Sequence, residues 1–362
     1  MRLAWFRPAV PDPADPLDDS GALLAALRAS HDIDVVTAAA AHDFVWRHAR
    51  DAYDLCLFEL DDTPAHQFIW PYLLHYGGVT MLRTLTLNRE RASALIVQRR
   101  SADYRAELEF SRDWRLLRVP LLASTIAVVS HPAVAEALQD EYPDARIRHA
   151  PPGVPGVPGV PEVRGVRVRI GVVAGESDVA HKASQRAREA DANVTLVSGR
   201  AREVLRDADI VVATQWPPFG EPETAALAGM AAGKPVIVME TEVTADWPAY
   251  DPQTWRPRGS AGGAPVVVSI DPRDEEHSLM IAIRDLARDH ELRGSLGAAA
   301  HQWWRAHATP AHAATVWQQI LSDARAMTPP ARPAGWPPHL SADGTGDARA
   351  ILRDMGASVD FL

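Results

Sequence analysis

Cysteine is almost missing from this chain: one residue, Cys56, in 362. A single thiol supports neither an internal disulfide framework nor a cysteine-based zinc centre. Cys56 lies inside the apolar run DLCLFEL, where it reads as a small buried hydrophobe. No apolar stretch approaches the roughly 18 residues of a membrane span. The opening MRLAWF lacks the charged start and long apolar stretch of a secretory leader, so the expected location is the cytoplasm. Positive charge is in deficit as well: 37 Lys and Arg against 47 Asp and Glu give a net charge of −10. Phosphate backbones reward a basic surface, so nucleic acid is excluded as the main partner. Familiar catalytic and nucleotide motifs are also wanting. The 14 histidines include no H-E-x-x-H, and there is no Walker loop and no G-x-S-x-G elbow. Gly175 follows a predicted strand but lacks the rest of a dinucleotide fingerprint. No metal and no resident cofactor are expected.

What is present is an ordinary globular composition, 47% apolar and 23% charged. At about 150 residues per domain the length allows two domains. Short β-like runs alternate with helical patterns, which predicts βαβ units and parallel sheets. In the first half, strands are expected at Arg2–Phe6, Ile33–Ala38, Asp54–Leu60, Val79–Leu82, Thr125–Ser130 and Arg146–Ala150. Between them lie helices such as GALLAALRAS, with Ser20 as its N-cap, and Pro64–Tyr76, with a kink at Pro71. Residues 88–115 form a charged, helix-rich stretch. Then comes PPGVPGVPGVP (151–161), which neither helix nor sheet ladder can absorb, and which reads as a linker. Beyond it, strands are expected at Arg167–Val173, Val194–Ser198, Asp209–Ala213, Pro235–Met239 and Pro265–Ile270, followed by helices alone over 274–326. The chain is therefore divided into residues 1–150, the linker 151–161, residues 162–326, and a proline-rich tail 327–362 that ends in a short helix at Asp347–Met355. Two α/β halves of this kind bind ligands outside the carboxyl ends of their strands, in the cleft between them.

The richest segment is DIVVATQWPPFGEPETAALAGMAAGKPVIVME, residues 209–240. A strand ends near Ala213, a proline-bearing loop follows, and Gly220-Glu221-Pro222-Glu223-Thr224 opens a helix that stops at Gly233. Free amides and the helix dipole make such a start a site for phosphate or sugar hydroxyls, while Glu221 and Glu223 also suit the dipole on their own account. Trp216 offers either a face for a base or ordinary loop packing.

These residues resemble the donor-binding segment of family 4 retaining glycosyltransferases of GT-B fold. The likeness extends to YDLCLFELDDTPAHQFIWPYLLHYGGVTML (53–82), TIAVVSHPAVAEALQDEYPDARIRHAPPGVP (125–155) and the helical stretch 271–321, in the family's order and over nearly the whole chain. The resemblance implies two Rossmann-like domains facing each other, the N-terminal one for the acceptor and the C-terminal one for the nucleotide. It implies transfer of a sugar from a nucleotide diphosphate sugar with retention at the anomeric carbon. The tail would cross back to the first half. Carried over by position, Glu221 would lie near the donor sugar and Lys182 near the phosphates. Gln215, Trp216, Gly220, Glu223 and Thr224 would line the donor pocket. Arg83 would bind a phosphate or carboxylate as a second catalytic residue, with Asp15 and Asn88 on the acceptor side.

Several positions depart from the family's pattern. A second glutamate falls on Ala228, a basic loop residue on Gln215, and an acceptor-side His-Asp pair becomes Arg83-Thr84. The first loop carries Asp12, Asp15, Asp18 and Asp19, and carboxylates beside a diphosphate repel it. Two function classes therefore stand. One is a divergent glycosyltransferase acting on an unknown acceptor, for which an acidic loop suits a cationic group. The other is a catalytically silent GT-B protein serving as a binding or partner subunit. A partner protein, a homo-oligomer and peripheral membrane contact through the arginine-rich stretch 90–118 all remain open.

Overall fold

A computed structural model describes residues 1–9, 12, 15–157, 167–175, 177–215, 223–258, 263–341 and 351–358. In the first half the strands are β1 (Arg2–Phe6), β2 (Asp32–Val36), β3 (Leu55–Leu60), β4 (Val79–Leu82), β5 (Ile126–Val129) and β6 (Ile147–His149). They form one sheet in the order β2-β1-β3-β4-β5-β6, and every neighbouring pair is parallel. The helices are α1 (Asp19–Leu27), α2 (Ala41–Arg50), α3 (Ile69–Tyr76), α4 (Asn88–Val97), α5 (Ser101–Ser111), α6 (Arg118–Ala123) and α7 (Pro132–Glu141). Strand alternation sorts side chains to two faces. Leu3 and Trp5 go to one apolar cluster, Ala4 and Phe6 to the other. A sheet covered on both faces needs apolar residues at nearly every strand position, which is why LAWF and LCLF read as continuous runs.

The second half repeats the plan. Its strands are β7 (Val168–Gly175), β8 (Val194–Val197), β9 (Ile210–Thr214), β10 (Val236–Met239), β11 (Ala249–Tyr250), β12 (Pro257–Arg258) and β13 (Val267–Ile270), ordered β12-β11-β13-β10-β9-β7-β8. Only the β11–β12 pair is antiparallel. Helices α8 (Ser177–Glu189), α9 (Ala201–Asp207), α10 (Thr224–Ala231), α11 (Glu275–Arg288) and α12 (His290–His307) complete it, and α13 (Pro310–Ala326) follows. Val211 and Ala213 face the cluster holding α10 and α12; Ile210 and Val212 face α8 and α11.

Four differences from the sequence reading have clear causes. First, α1 starts earlier, and its cap is Asp18 rather than Ser20: the Asp18 carboxylate accepts from the Gly21 amide at 2.8 Å. Second, Pro64–Tyr76 divides into a 3-10 turn at Pro64–His66 and then α3. Pro71 is the third residue of α3, where no intrahelical bond is lost and no kink is required. Third, the described part of the linker is packed. Val154 is fully buried among second-half residues. Its amide donates to Ala308 O at 3.0 Å, and its carbonyl accepts from Trp304 Nε1 at 3.2 Å. The later linker residues, 158–161, lie outside the described residues. Fourth, α13 leaves the second half. It packs along α1, and Trp317 stacks on Trp5 with ring centroids 6.5 Å apart. The return to the first half therefore begins at residue 310, before the tail. Within the tail, residues 342–350 and 359–362 are outside the described residues, so the start of the expected last helix, 347–350, is not described, while residues 351–354 are helical.

Candidate functional site

Parallel strands point their carboxyl ends the same way, and the first sheet gathers charge there. Arg7 follows β1, Glu59 is near the end of β3, Arg83 follows β4, and α1 begins at Asp19. Arg83 makes a two-pronged contact with Asp19: Nη1 donates to Oδ2 at 2.9 Å and Nη2 to Oδ1 at 2.7 Å. Arg7 Nη2 donates to Asp18 Oδ1 at 2.8 Å. Glu59 sits between them, with Arg7 Nε 3.6 Å and Arg83 Nε 3.8 Å away and Ser20 Oγ donating at 3.1 Å. All five charged side chains are mostly buried. Burial pushes the Glu59 carboxyl above its usual range, with Arg83 and then Arg7 opposing. Burial works against the charge on Arg83, but the Asp19 carboxylate outweighs it and holds the guanidinium protonated.

This arrangement gives Arg83 a partner within the chain. Its planar fork is already filled by a planar carboxylate, the partner it fits best, so it is not an open receptor for a ligand anion. The start of α1 is closed in the same manner. Asp18 takes the Gly21 amide and the Asp12 amide at 3.1 Å, and a side chain on Gly21 would meet the Asp18 carboxylate at 2.2 Å. A helix start that carries its own carboxylate has no place for a diphosphate.

Nearby groups are likewise engaged. Asp15 is exposed, and its carboxylate accepts from the Leu17 amide at 2.9 Å. Asn88 opens α4, and its Oδ1 accepts from Tyr104 of α5 at 2.8 Å, a joint between two helices. Beside it, Asp62 accepts from the Arg89 and Glu90 amides at 3.3 and 2.9 Å. Sequence reading passed over Arg7, Glu59 and His66. His66 is buried, with Nδ1 2.7 Å from Thr63 Oγ1. Burial drives its pKa down to about 4, with Asp61 opposing. The position of His66 in TPAHQF, just past the apolar run of β3, was the available signal.

On the second sheet, Gln215 directly follows β9, a strand flanked by β10 and β7. Glu223 is the N-cap residue of α10 and Thr224 its first residue; both are half-buried. Among the described residues the Glu223 side chain makes no cap hydrogen bond to the start of α10, in contrast to Asp18 at α1. The helix is buried from Ala225 to Ala231, and Gly229 meets Val236 and Val211 so closely that a Cβ would come within 2.9 Å. Trp216, Gly220 and Glu221 lie outside the described residues. Lys182 is on the exposed side of α8, while Ala180, Ala183 and Ala187 face the core; the structure puts it in solvent.

The turn after β10 is occupied internally. Thr241 N donates to Thr244 Oγ1 at 3.0 Å, and Val243 N and Thr244 N donate to Thr241 Oγ1 at 3.2 and 3.3 Å. Val243, from this turn, packs into the first-half core, so the carboxyl edges of the two sheets meet there. Among the described residues, no group of three or more His, Cys, Asp or Glu is arranged to hold a metal ion. Among the same residues, no helix is long and apolar enough to cross a membrane.

Two α/β halves with parallel sheets and facing carboxyl edges make a GT-B-like fold. Comparison with solved structures agrees. The chain is similar to WaaG, a glycosyltransferase involved in lipopolysaccharide biosynthesis, with TM-score 0.50 and 13% identity over 88% of this chain and 99% of that one. It is also similar to the pneumococcal O-GlcNAc transferase GtfA in complex with UDP and GlcNAc, with TM-score 0.49 and 12% identity over 77% of this chain. It spans 59% of the length of GtfA. A third is the glycotransferase of kitacinnamycin, with TM-score 0.48 and 16% identity over 88% of this chain and 98% of that one. No family model and no curated protein matches the sequence.

Proposed function

We propose that this protein transfers a sugar from a nucleotide diphosphate sugar to an acceptor, as a divergent relative of the family 4 retaining glycosyltransferases. The observation that carries the reading is the contrast between two helix starts. The start of α1 is closed by Asp18; at the start of α10, which follows β9, the N-cap residue Glu223 makes no side-chain cap hydrogen bond among the described residues. A diphosphate is then taken by the second half, at the first amides of α10, where the dipole stabilises the leaving charge. In this reading Thr224 and Glu223 border the diphosphate, Gln215 and Trp216 border the base, and Glu221, with Gly220 before it, reaches the sugar. Lys182, exposed on α8, is the candidate for the phosphates, and Arg83 acts as an ion-pair partner of Asp19. The acceptor side carries carboxylates at Asp12, Asp15, Asp61 and Asp62 besides the ion-paired Asp18 and Asp19, which favours a neutral or cationic acceptor over a phosphorylated one. The reaction is placed in the cytoplasm.

A silent GT-B subunit is the second reading, and a specific observation favours it. Arg83 is taken by Asp19 and the Thr241–Thr244 turn bonds to itself, so neither is open to an anion; Arg7 Nε and Nη1, by contrast, are buried with no hydrogen-bond partner among the described residues. One experiment separates the two. A panel of nucleotide diphosphates and nucleotide sugars is tested for thermal shift, and then for donor hydrolysis and transfer. A shift with one base plus turnover, with turnover lost in Glu221→Ala at unchanged melting temperature, supports transfer. A panel with no shift at millimolar ligand overturns it and directs the search to a partner protein.

A further inference from the structure

Beyond α13 the chain runs back over the first half to a short 3-10 turn, Pro338–Ser341. Leu340 is buried in the first-half core, and Trp336 meets Phe110 of α5 edge-on with centroids 5.3 Å apart. Between them His339 turns inward, its side chain 12% exposed. His339 Nε2 is 2.8 Å from Glu107 Oε1, and Nδ1 is 3.5 Å from Asp103. Glu107 is 0% exposed, and a buried carboxylate is costly unless fully paired. Its other partner is Arg91 of α4: Nε donates to Oε2 at 2.9 Å and Nη2 to Oε1 at 2.6 Å. The Arg91 guanidinium in turn lies over the Trp70 ring of α3, 4.6 Å from its centroid. Helices α3, α4 and α5 and the C-terminal segment therefore meet at one carboxylate, held below its ordinary range by these contacts against burial.

We propose that residues 333–341 form a releasable strap whose seating, through Glu107 and Arg91, sets the position of α4 at the carboxyl edge of the first sheet. The contacts form a continuous chain. Arg91 is on the first turn of α4, beside Asn88, Arg89 and Glu90. The amides of Arg89 and Glu90 are held by Asp62, just past β3, and the Glu90 carbonyl accepts from Gln67 Nε2 at 2.9 Å. A rigid helix passes a change at Arg91 to its own first residues. A partner or protease acting on the C-terminal segment is then felt at the edge that carries Glu59 and Arg83. This does not depend on whether the protein turns over a nucleotide sugar.

Hydrogen exchange on the full chain tests it, with the variants His339→Ala, His339→Gln and Leu340→Asp. His339→Ala removes one charge-assisted hydrogen bond, so exchange in residues 88–97 and 101–111 accelerates by roughly tenfold or more. Strands β7–β10 keep their wild-type protection. His339→Gln, which retains a side-chain N–H donor, restores most of the protection. Leu340→Asp lifts the strap without touching Glu107 and reproduces the His339→Ala pattern. Wild-type exchange of residues 88–97 in both His339→Ala and Leu340→Asp overturns the proposal, because the strap is then a passenger. Uniform acceleration over both sheets also overturns it, because His339 then serves general stability.

Discussion

Replacing Arg83 by leucine is the sharpest test of the first-half charge cluster. The substitution leaves the carboxylate of Asp19, 6% exposed, without its two-pronged partner, and leaves Glu59, 7% exposed, with Arg7 alone. Breaking a buried ion pair from one side costs about 3–5 kcal/mol, because the remaining charge stays buried. At roughly 2–4 °C per kcal/mol for domains of 150–250 residues, the melting temperature falls by about 6–20 °C. The exposed Arg100–Asp103 pair, 42% and 29% exposed, is the control: Arg100→Leu costs at most about 1 kcal/mol. The pH dependence sharpens the test. Burial raises the folded pKa of Glu59 above its reference of 4.5. A raised carboxyl stabilises the fold below the unfolded pKa, and that stability is lost as pH rises through the folded value. Arg83 opposes the rise, so its removal lifts the folded value further and extends the loss to higher pH. The gap between variant and wild type is therefore widest near neutrality and narrows on acidification toward pH 4.5. Thermal melts from pH 4.5 to 8 read both quantities. A loss under about 1 kcal/mol, or a gap that does not narrow in acid, refutes the reasoning and means that the cluster is solvated. The double variant Asp19→Leu/Arg83→Leu recovers part of the loss, since no carboxylate is left facing the missing guanidinium.

Other outcomes follow from single contacts. Trp317→Ala removes a 2% exposed ring stacked on Trp5 and costs about 3–5 kcal/mol in chemical denaturation; a loss below 1 kcal/mol would show that α13 does not hold the first half. Gly153→Val places a Cβ 3.0 Å from Pro310 Cα and Ala313 Cβ, so overpacking costs about 1–3 kcal/mol, read from the denaturant midpoint; an unchanged midpoint removes the tight crossing. Burial lowers His66 from 6.5 to about 4. Its stabilising share is complete above pH 6.5 and is lost as pH falls through about 4. His66→Asn flattens the stability profile over that window, and an unaltered profile discounts the burial.

Much of the architecture is legible because parallel sheets write themselves as apolar runs. Ile210–Thr214 and Val236–Met239 are buried throughout and could be read as strands without their neighbours. The cap at Asp18 was harder, since Asp18, Asp19 and Ser20 all suit a cap and only the Gly21 amide decides among them. The pairing of Arg83 with Asp19 spans 64 positions, and no local pattern signals which carboxylate a distant arginine will meet. Arginine in place of a family histidine looked like an anion receptor because its partner was invisible. For α13 the helical period gave the apolar face, with Ala313, Trp317 and Leu321. It could not say that Leu3, Trp5 and Leu24 would cover that face. The donor-side residues Trp216, Gly220 and Glu221 stand where the reading began, on the resemblance.

The meeting of Val154 with Ala308 has a consequence for how the chain is made. The second half enters and leaves at one point, so it is an insertion within a discontinuous first half. During synthesis Trp5 emerges well before the helix that covers it, α13, because the whole second half lies between them. Until α13 arrives, Leu3, Trp5, Leu24 and Leu27 form an apolar face with no cover, open to wrong partners. The second half can finish folding first, and its closure delivers α13 to the face that waits for it. Expression of residues 1–150 alone would leave that face permanently bare and prone to aggregation. A fragment that joins residues 1–150 to α13 through a short linker would restore it.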